Sequence, residues 1–160
     1  MLNLLRPVSQ QDRRQSPTAL LVARGTTRLL RRLDFSTLTE MPLLSGRRAD
    51  IVALSSDGSI FIVEIKSSLA DFRADGKWRD YRAYCDRFFF AIPEGVAAGE
   101  FPQDAGLILA DGYSADVIRQ APEHRMAAAT RRSMLLRFAH AAALRLQRLT
   151  DPESAAHGSS

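Results

Sequence analysis

Asp50, Glu64 and Lys66 put three charges into a stretch that is otherwise apolar, Ile51 to Leu54 and Ile60 to Ile65. Burying a charge is costly unless it is paired or meets a metal ion. Two carboxylates supply the hard oxygen ligands that a divalent cation prefers. An ammonium beside them can hold a water or hydroxide next to the metal. Together the three residues could place a metal-bound water for a hydrolysis. Of the 22 basic residues, only Lys66 and Lys77 are lysine. A compact ammonium at position 66 in so Arg-rich a chain is therefore pointed, because a planar guanidinium is better suited to clamping an anion.

This chemistry needs the three side chains on one side of a sheet. The two apolar runs flank Asp57-Gly58, a hairpin signal. A two-residue loop would place Asp50 and Glu64 on opposite faces. A three-residue loop, Ser56-Asp57-Gly58 with a left-handed Gly58, pairs residue 55 with 59, and hence 50 with 64 and 48 with 66. Asp50, Glu64 and Lys66 then share a face, because side chains alternate with period two. The three-residue loop is expected. A divalent cation would relieve the repulsion between the opposed carboxylates.

Asp50-x13-Glu64-x-Lys66 is the spacing of the PD-(D/E)xK nuclease superfamily. The surrounding sequence is closer still to one family. Glu40-Met-Pro-Leu, Arg48-Ala-Asp-Ile, Glu64-Ile-Lys-Ser-Ser, Lys77-Trp-Arg-Asp-Tyr and Tyr84-Cys-Asp-Arg-Phe resemble the MmcB family of DNA repair proteins. The similarity runs from about residue 17 to 120. It implies an α/β, restriction-endonuclease-like three-layer core, with a mixed central sheet flanked by helices and followed by a C-terminal helix. It also implies a metal-dependent DNA endonuclease role in repair. Asp50, Glu64, the Ile65 carbonyl and Glu40 would hold Mg²⁺ or Mn²⁺, and Lys66 would position the attacking water. Glu40 stands in for an acid on the first helix that many relatives carry and this helix lacks. Lys77-x3-Tyr81 takes the place of a Gln-x3-Tyr pair that lines the site in several relatives. Arg48, Ser67, Lys77 and Tyr81 are expected to touch DNA, as is the row Arg24, Arg28 and Arg31. The competing roles for these are ordinary: a solvated helix face for the arginines, turn capping for Ser67 and Ser68.

Elements must carry these residues. Residues 1 to 15 read as a flexible basic arm, 16 to 150 as a single domain and 151 to 160 as a disordered tail. Ser16-Pro17 opens a helix to about Leu33, Ser as N-cap and Pro at the first helical position. Leu20, Ala23, Thr27 and Leu30 are expected to mark its buried side. A strand over about 34–44 would precede the hairpin. A polar crossover and a helix from Lys77 to Tyr84 follow it, with Trp78, Tyr81 and Cys85 in the core. The continuously apolar 86–93 reads as a strand buried on both faces, 106–111 as another and 113–119 as an edge strand. The last helix, about 126–149, is expected to pack on the sheet through Leu135, Phe138, Ala142, Leu146 and Leu149.

Composition narrows the function. Apolar residues are 46% and charged residues 25%, as in ordinary globular proteins. The lone cysteine precludes an internal disulfide and suits a reducing cytoplasm. No run matches a membrane span or signal peptide. A net charge of +4 favours a polyanionic partner. Zinc spacing, a phosphate loop and a Ser-His-Asp grouping are all missing from the sequence, and His124, His140 and His157 are scattered. The expected partner is therefore DNA, in the nucleoid, with other repair proteins and a homodimer open. The alternatives are a catalytically silent nuclease-fold module that binds DNA or a repair partner, and an assembly role for the last helix.

Overall fold

The computed structural model describes residues 15–157. The expected basic arm falls almost entirely outside them. A six-stranded sheet in the order β1-β2-β3-β4-β5-β6 forms the middle layer. Its strands are β1 (Phe35–Pro42), β2 (Arg48–Ser55), β3 (Ile60–Ile65), β4 (Arg87–Ile92), β5 (Gly106–Ala110) and β6 (Ala115–Arg119). The pairs β3–β4 and β4–β5 are parallel and the others antiparallel, so the sheet is mixed.

One face is covered by α1 (Pro17–Arg32), whose Val22, Ala23, Leu29 and Leu30 pack with Ile51, Val63, Phe89 and Ile108. The other face is covered by a 3-10 segment (Trp78–Tyr84) and the start of α3 (Ala128–Thr150). There Trp78, Tyr81, Met134 and Phe138 pack with Val52, Ile62, Phe88 and Phe90. The three-layer α/β core expected from the sequence is the one observed. Strand β4 is buried on both faces because both layers lean on it, which explains its unbroken apolar run.

Helix α1 begins as its sequence requires. The Ser16 Oγ accepts the Ala19 N–H at 3.2 Å, and Pro17 follows. Its buried side is rotated from the expected one. Leu20 is 56% exposed and Thr27 is half-buried, while Val22, Gly25, Thr26 and Leu29 face inward. The reason lies at Gly25, where an added Cβ would stand 2.1 Å from the Asp111 carbonyl oxygen. The helix thus rests its glycine against the turn between β5 and β6, and the inward face follows from that contact.

Three other expectations are corrected. The crossover contains a short helix, α2 (Leu69–Ala74), capped by Ser68, whose Oγ accepts the Asp71 N–H at 3.1 Å. Helix α3 touches the core only through Met134 and Phe138 as fully buried residues, whereas Leu146 and Leu149 are 62% and 80% exposed. The sheet is too narrow to cover that end of the helix. A 3-10 turn over Pro152–His157 stands where an unstructured tail is expected, held by the Asp151 carbonyl, which accepts from the Ser154 hydroxyl at 2.8 Å.

Candidate active site

The β2–β3 hairpin has the three-residue loop. Leu54 pairs with Ile60 and Ile51 with Val63, and Ser55 donates its N–H to the Ser59 carbonyl at 3.0 Å. Gly58 has φ +89°, which a non-glycine residue adopts only at a cost. This register sets position 50 across from position 64, beyond the last ladder pair.

The neighbouring β1–β2 ladder skips one position. Thr39 pairs with Ile51 and Met41 with Ala49, but Glu40 and Asp50 do not pair. Glu40 has the left-handed φ of 51°, and its carbonyl accepts from the Arg145 guanidinium on α3 at 3.3 Å. The skip turns over the in–out alternation: Ala49 and Val52, three apart, pack in the same half of the core, with Ile51 in the other. Asp50 sits at this kink.

Side chains take up the main-chain groups left over. Glu64 Oε1 accepts the Asp50 N–H at 2.9 Å, and Asp50 Oδ2 accepts the Ile65 N–H at 2.8 Å. Glu64 is 6% exposed. Burial drives its carboxyl up to about 8, and the adjacent Asp50 charge adds to this. Burial also raises Asp50, against the lowering pull of the Ile65 N–H, Lys66 and a hydrogen bond with Glu64. Both acids are thus pulled upward, and they titrate together as a pair rather than singly.

Lys66 follows directly on β3, and its charge acts on both acids of the pair. Its Nζ is 2.9 Å from Asp75 Oδ2, so the ammonium is tethered rather than free. Burial opposes ionisation of Asp75, but the Lys66 hydrogen bond and the Lys77 N–H outweigh it and hold its carboxyl below the usual range. Asp75 carried no signal in the sequence beyond a turn-forming Asp-Gly.

The other expected site residues divide. Glu40 faces the kink, yet its carboxylate pairs with Arg48 at 3.5 Å, and both are half exposed. Its charge still reaches Asp50 weakly. Tyr81 is buried, and its hydroxyl donates to the Arg48 carbonyl at 3.2 Å. Burial and then the Glu64 charge push its phenol up to about 12. Ser67 donates to Asp71 at 2.9 Å rather than standing open. Lys77 is exposed at the N-cap of the 3-10 segment. Arg28 is committed to the Tyr113 carbonyl at 3.3 Å, and Arg24 lies over the Tyr113 ring. Arg28 and Arg31 both line an open groove of about 890 Å³, with Asp34, Ser36, Ser55 and Ser56. The Asp50 end of the sheet opens on a smaller cavity of about 340 Å³, bordered by Ser16, Ala19, Ile65, Ser67 and Asp71.

Could this site hold a metal ion? Among the described residues no three His, Cys, Asp or Glu side chains gather into a metal-binding set. Two adjacent carboxylates are nonetheless a sufficient protein contribution for Mg²⁺, which keeps several waters and is commonly held by one or two carboxylates and a substrate phosphate. Asp50 and Glu64 meet that requirement.

Cys85 is buried in the core with its thiol pushed up to about 12 by burial, which leaves it inert as a nucleophile. No helix among the described residues is long and apolar enough to cross a membrane.

A solved structure shares this fold. A solved structure of SPO1766, a protein of unknown function from Silicibacter pomeroyi, superposes with a TM-score of 0.83. The two are 39% identical over 92% of this chain and 98% of the other. No curated protein matches the chain. A family model described as DNA repair protein MmcB-like matches residues 6–153, and the chain belongs to that family.

Proposed function

We propose that this chain is a divalent-cation-dependent DNA endonuclease acting in repair, with Asp50, Glu64 and Lys66 as its catalytic residues. The observation that carries the reading is the facing Asp50–Glu64 pair, Glu64 buried and Asp50 half-buried, each carboxylate bonded to a backbone N–H of the other's strand, with the Lys66 charge acting on both. Asp50 and Glu64 would hold Mg²⁺ or Mn²⁺, with the Ile65 carbonyl as a further oxygen and Glu40 at the rim. A cation bound there supplies Lewis acidity toward the scissile phosphate and lowers the pKa of its bound water. Lys66 orients the attacking water and balances charge on the phosphate. Tyr81 supports the floor from below through Arg48. Lys77, Arg48 and Arg31, all at the surface, grip the DNA backbone, which fixes register without reading sequence.

Nicking of a plasmid or of a branched duplex with Mg²⁺ or Mn²⁺ tests this. Wild-type protein is expected to cut, and Lys66→Ala to lose cutting by at least 10²-fold, on the order expected for a positioned acid–base group, with DNA affinity retained. Undiminished cutting by Lys66→Ala would reject the mechanism.

One observation favours a second reading, a silent module that binds DNA or a repair protein. The Lys66 ammonium is held by Asp75, and no third acid joins the pair among the described residues. DNA binding with a steep salt dependence, and no cutting with any divalent cation, would select that reading.

A further inference from the structure

The Lys66–Asp75 contact links the site to an element that the catalytic set does not include. Lys66 lies just past the end of β3, its N–H bonded to the Ala91 carbonyl at 3.0 Å. The main chain there is fixed, but four side-chain torsions separate it from the ammonium. Left alone, such a chain samples many rotamers, and ordering it carries an entropic cost. Asp75 removes that freedom at the far end. Its Oδ2 lies 2.9 Å from Nζ, and its Oδ1 accepts the Lys77 N–H at 3.1 Å. The two side chains are only 12% and 17% exposed.

Asp75 is itself held in place. It is the C-cap of α2, and its N–H donates to the Phe72 carbonyl at 3.0 Å. The Phe72 ring packs on Phe90 of β4 and on Phe101, with centroids 5.3 and 4.6 Å away. The carboxylate is thus anchored to the core through one short helix. Its charge also reaches Glu64, so Lys66 lies in the field of acids on two sides.

We propose that Asp75 is a positioning residue for the nuclease reaction, which fixes the Lys66 ammonium beside the Asp50–Glu64 pair. This rests on the nuclease reading above. Asp75 does not touch substrate. It aims a group that acts at the scissile phosphate, and carries the placement of α2 into the site.

The chain offers an unusual probe, because Lys66 and Lys77 are its only lysines. Amine acylation followed by peptide mass mapping therefore reports on each separately. In wild-type protein Lys77 should react readily and Lys66 slowly. Asp75→Asn should raise the Lys66 rate several-fold and leave Lys77 within twofold. In DNA cutting, the same variant should lower kcat at least 10-fold with KM unchanged, and Asp75→Glu should recover part of the loss. An unchanged Lys66 acylation rate would overturn the tether. Cutting that Asp75→Asn leaves intact or accelerates would overturn the positioning role alone. Wild-type protein that cuts no substrate would sink the nuclease reading, and the role of Asp75 with it, even if acylation shows the tether.

Discussion

Glu64 Oε1 accepts the backbone N–H of Asp50, while Asp50 Oδ2 accepts that of Ile65, so each acid of the pair secures the other's strand. Both acids are raised by burial, Glu64 to about 8. A carboxyl raised in the folded state holds its proton longer folded than unfolded. Stability therefore falls as pH rises from the unfolded Glu value of about 4.5 through about 8, and levels off above. Thermal melts without divalent cation should show Tm declining over that window. Glu64→Gln should flatten the decline and be the more stable protein at pH 8. A wild-type Tm that rises from pH 5 to 8 would contradict the pairing.

A cation that replaces the proton on Glu64 should reverse this trend. At pH 8, saturating Mn²⁺ is expected to raise Tm by several degrees, and calorimetry in buffers of different ionisation enthalpy should show proton release at pH 7. Asp50→Asn should lose both responses. Equal stabilisation of the variant would place the cation elsewhere.

Arg131 tests the support beneath the hairpin. Its guanidinium meets the buried Asp86 carboxylate, with Nη1 2.9 Å from Oδ2, and donates to the Gly58 carbonyl at 3.0 Å. Burial would raise Asp86, but Arg131 and the Ile60 N–H outweigh it and the net shift is downward. The stabilisation is present above the unfolded Asp value of 3.8 and is lost as pH falls through the lower folded value. Arg131→Ala should cost about 2–3 kcal/mol at neutral pH, because a buried carboxylate loses its cation. Urea melts at pH 7 and pH 2.5 should show that difference shrinking in acid.

Gly25 is a packing test remote from the chemistry. A Cβ added there would lie 2.1 and 2.6 Å from the Asp111 and Ser114 carbonyl oxygens, so Gly25→Ala must push α1 off the β5–β6 turn. A loss of about 2–3 kcal/mol is expected from overpacking, in spite of the better helix propensity of alanine. A stabilised variant would refute the close approach.

Arg31 separates DNA contact from structure. It lines an open groove together with Arg28 and Asp34, and Arg28 also donates to the Tyr113 carbonyl. Arg31→Ala should weaken DNA binding and make the slope of log K against log salt shallower by about 0.9, one phosphate contact. Tm should not move. An unchanged slope would return Arg31 to the solvated face.

The sequence made the hairpin register legible because period-two alternation gave only one loop length that put Asp50 and Glu64 together. The sheet's centre was legible for a similar reason: residues 88 to 92 are apolar without alternation, as a doubly covered strand must be. What stayed hidden is non-local. Asp75 reaches Lys66 across a helix that six polar-flanked residues gave little reason to expect. Arg131 finds Asp86 from 45 positions away. The rotated face of α1 depends on a carbonyl at residue 111, which no helical periodicity within 17–32 can announce. The length of α3 was readable, but the point where the sheet ceases to cover it was not.

The irregularity at Glu40 has a further effect on the borders of the sheet. Strand β1 is outermost, and an outermost strand presents free main-chain groups to which another chain can add. The left-handed turn at Glu40, with its carbonyl drawn to Arg145, interrupts that row two residues before its end. At the opposite border the β5–β6 register shifts between Leu107 and Ile108. Each border is thereby broken into short segments, and unwanted strand addition between molecules loses its template.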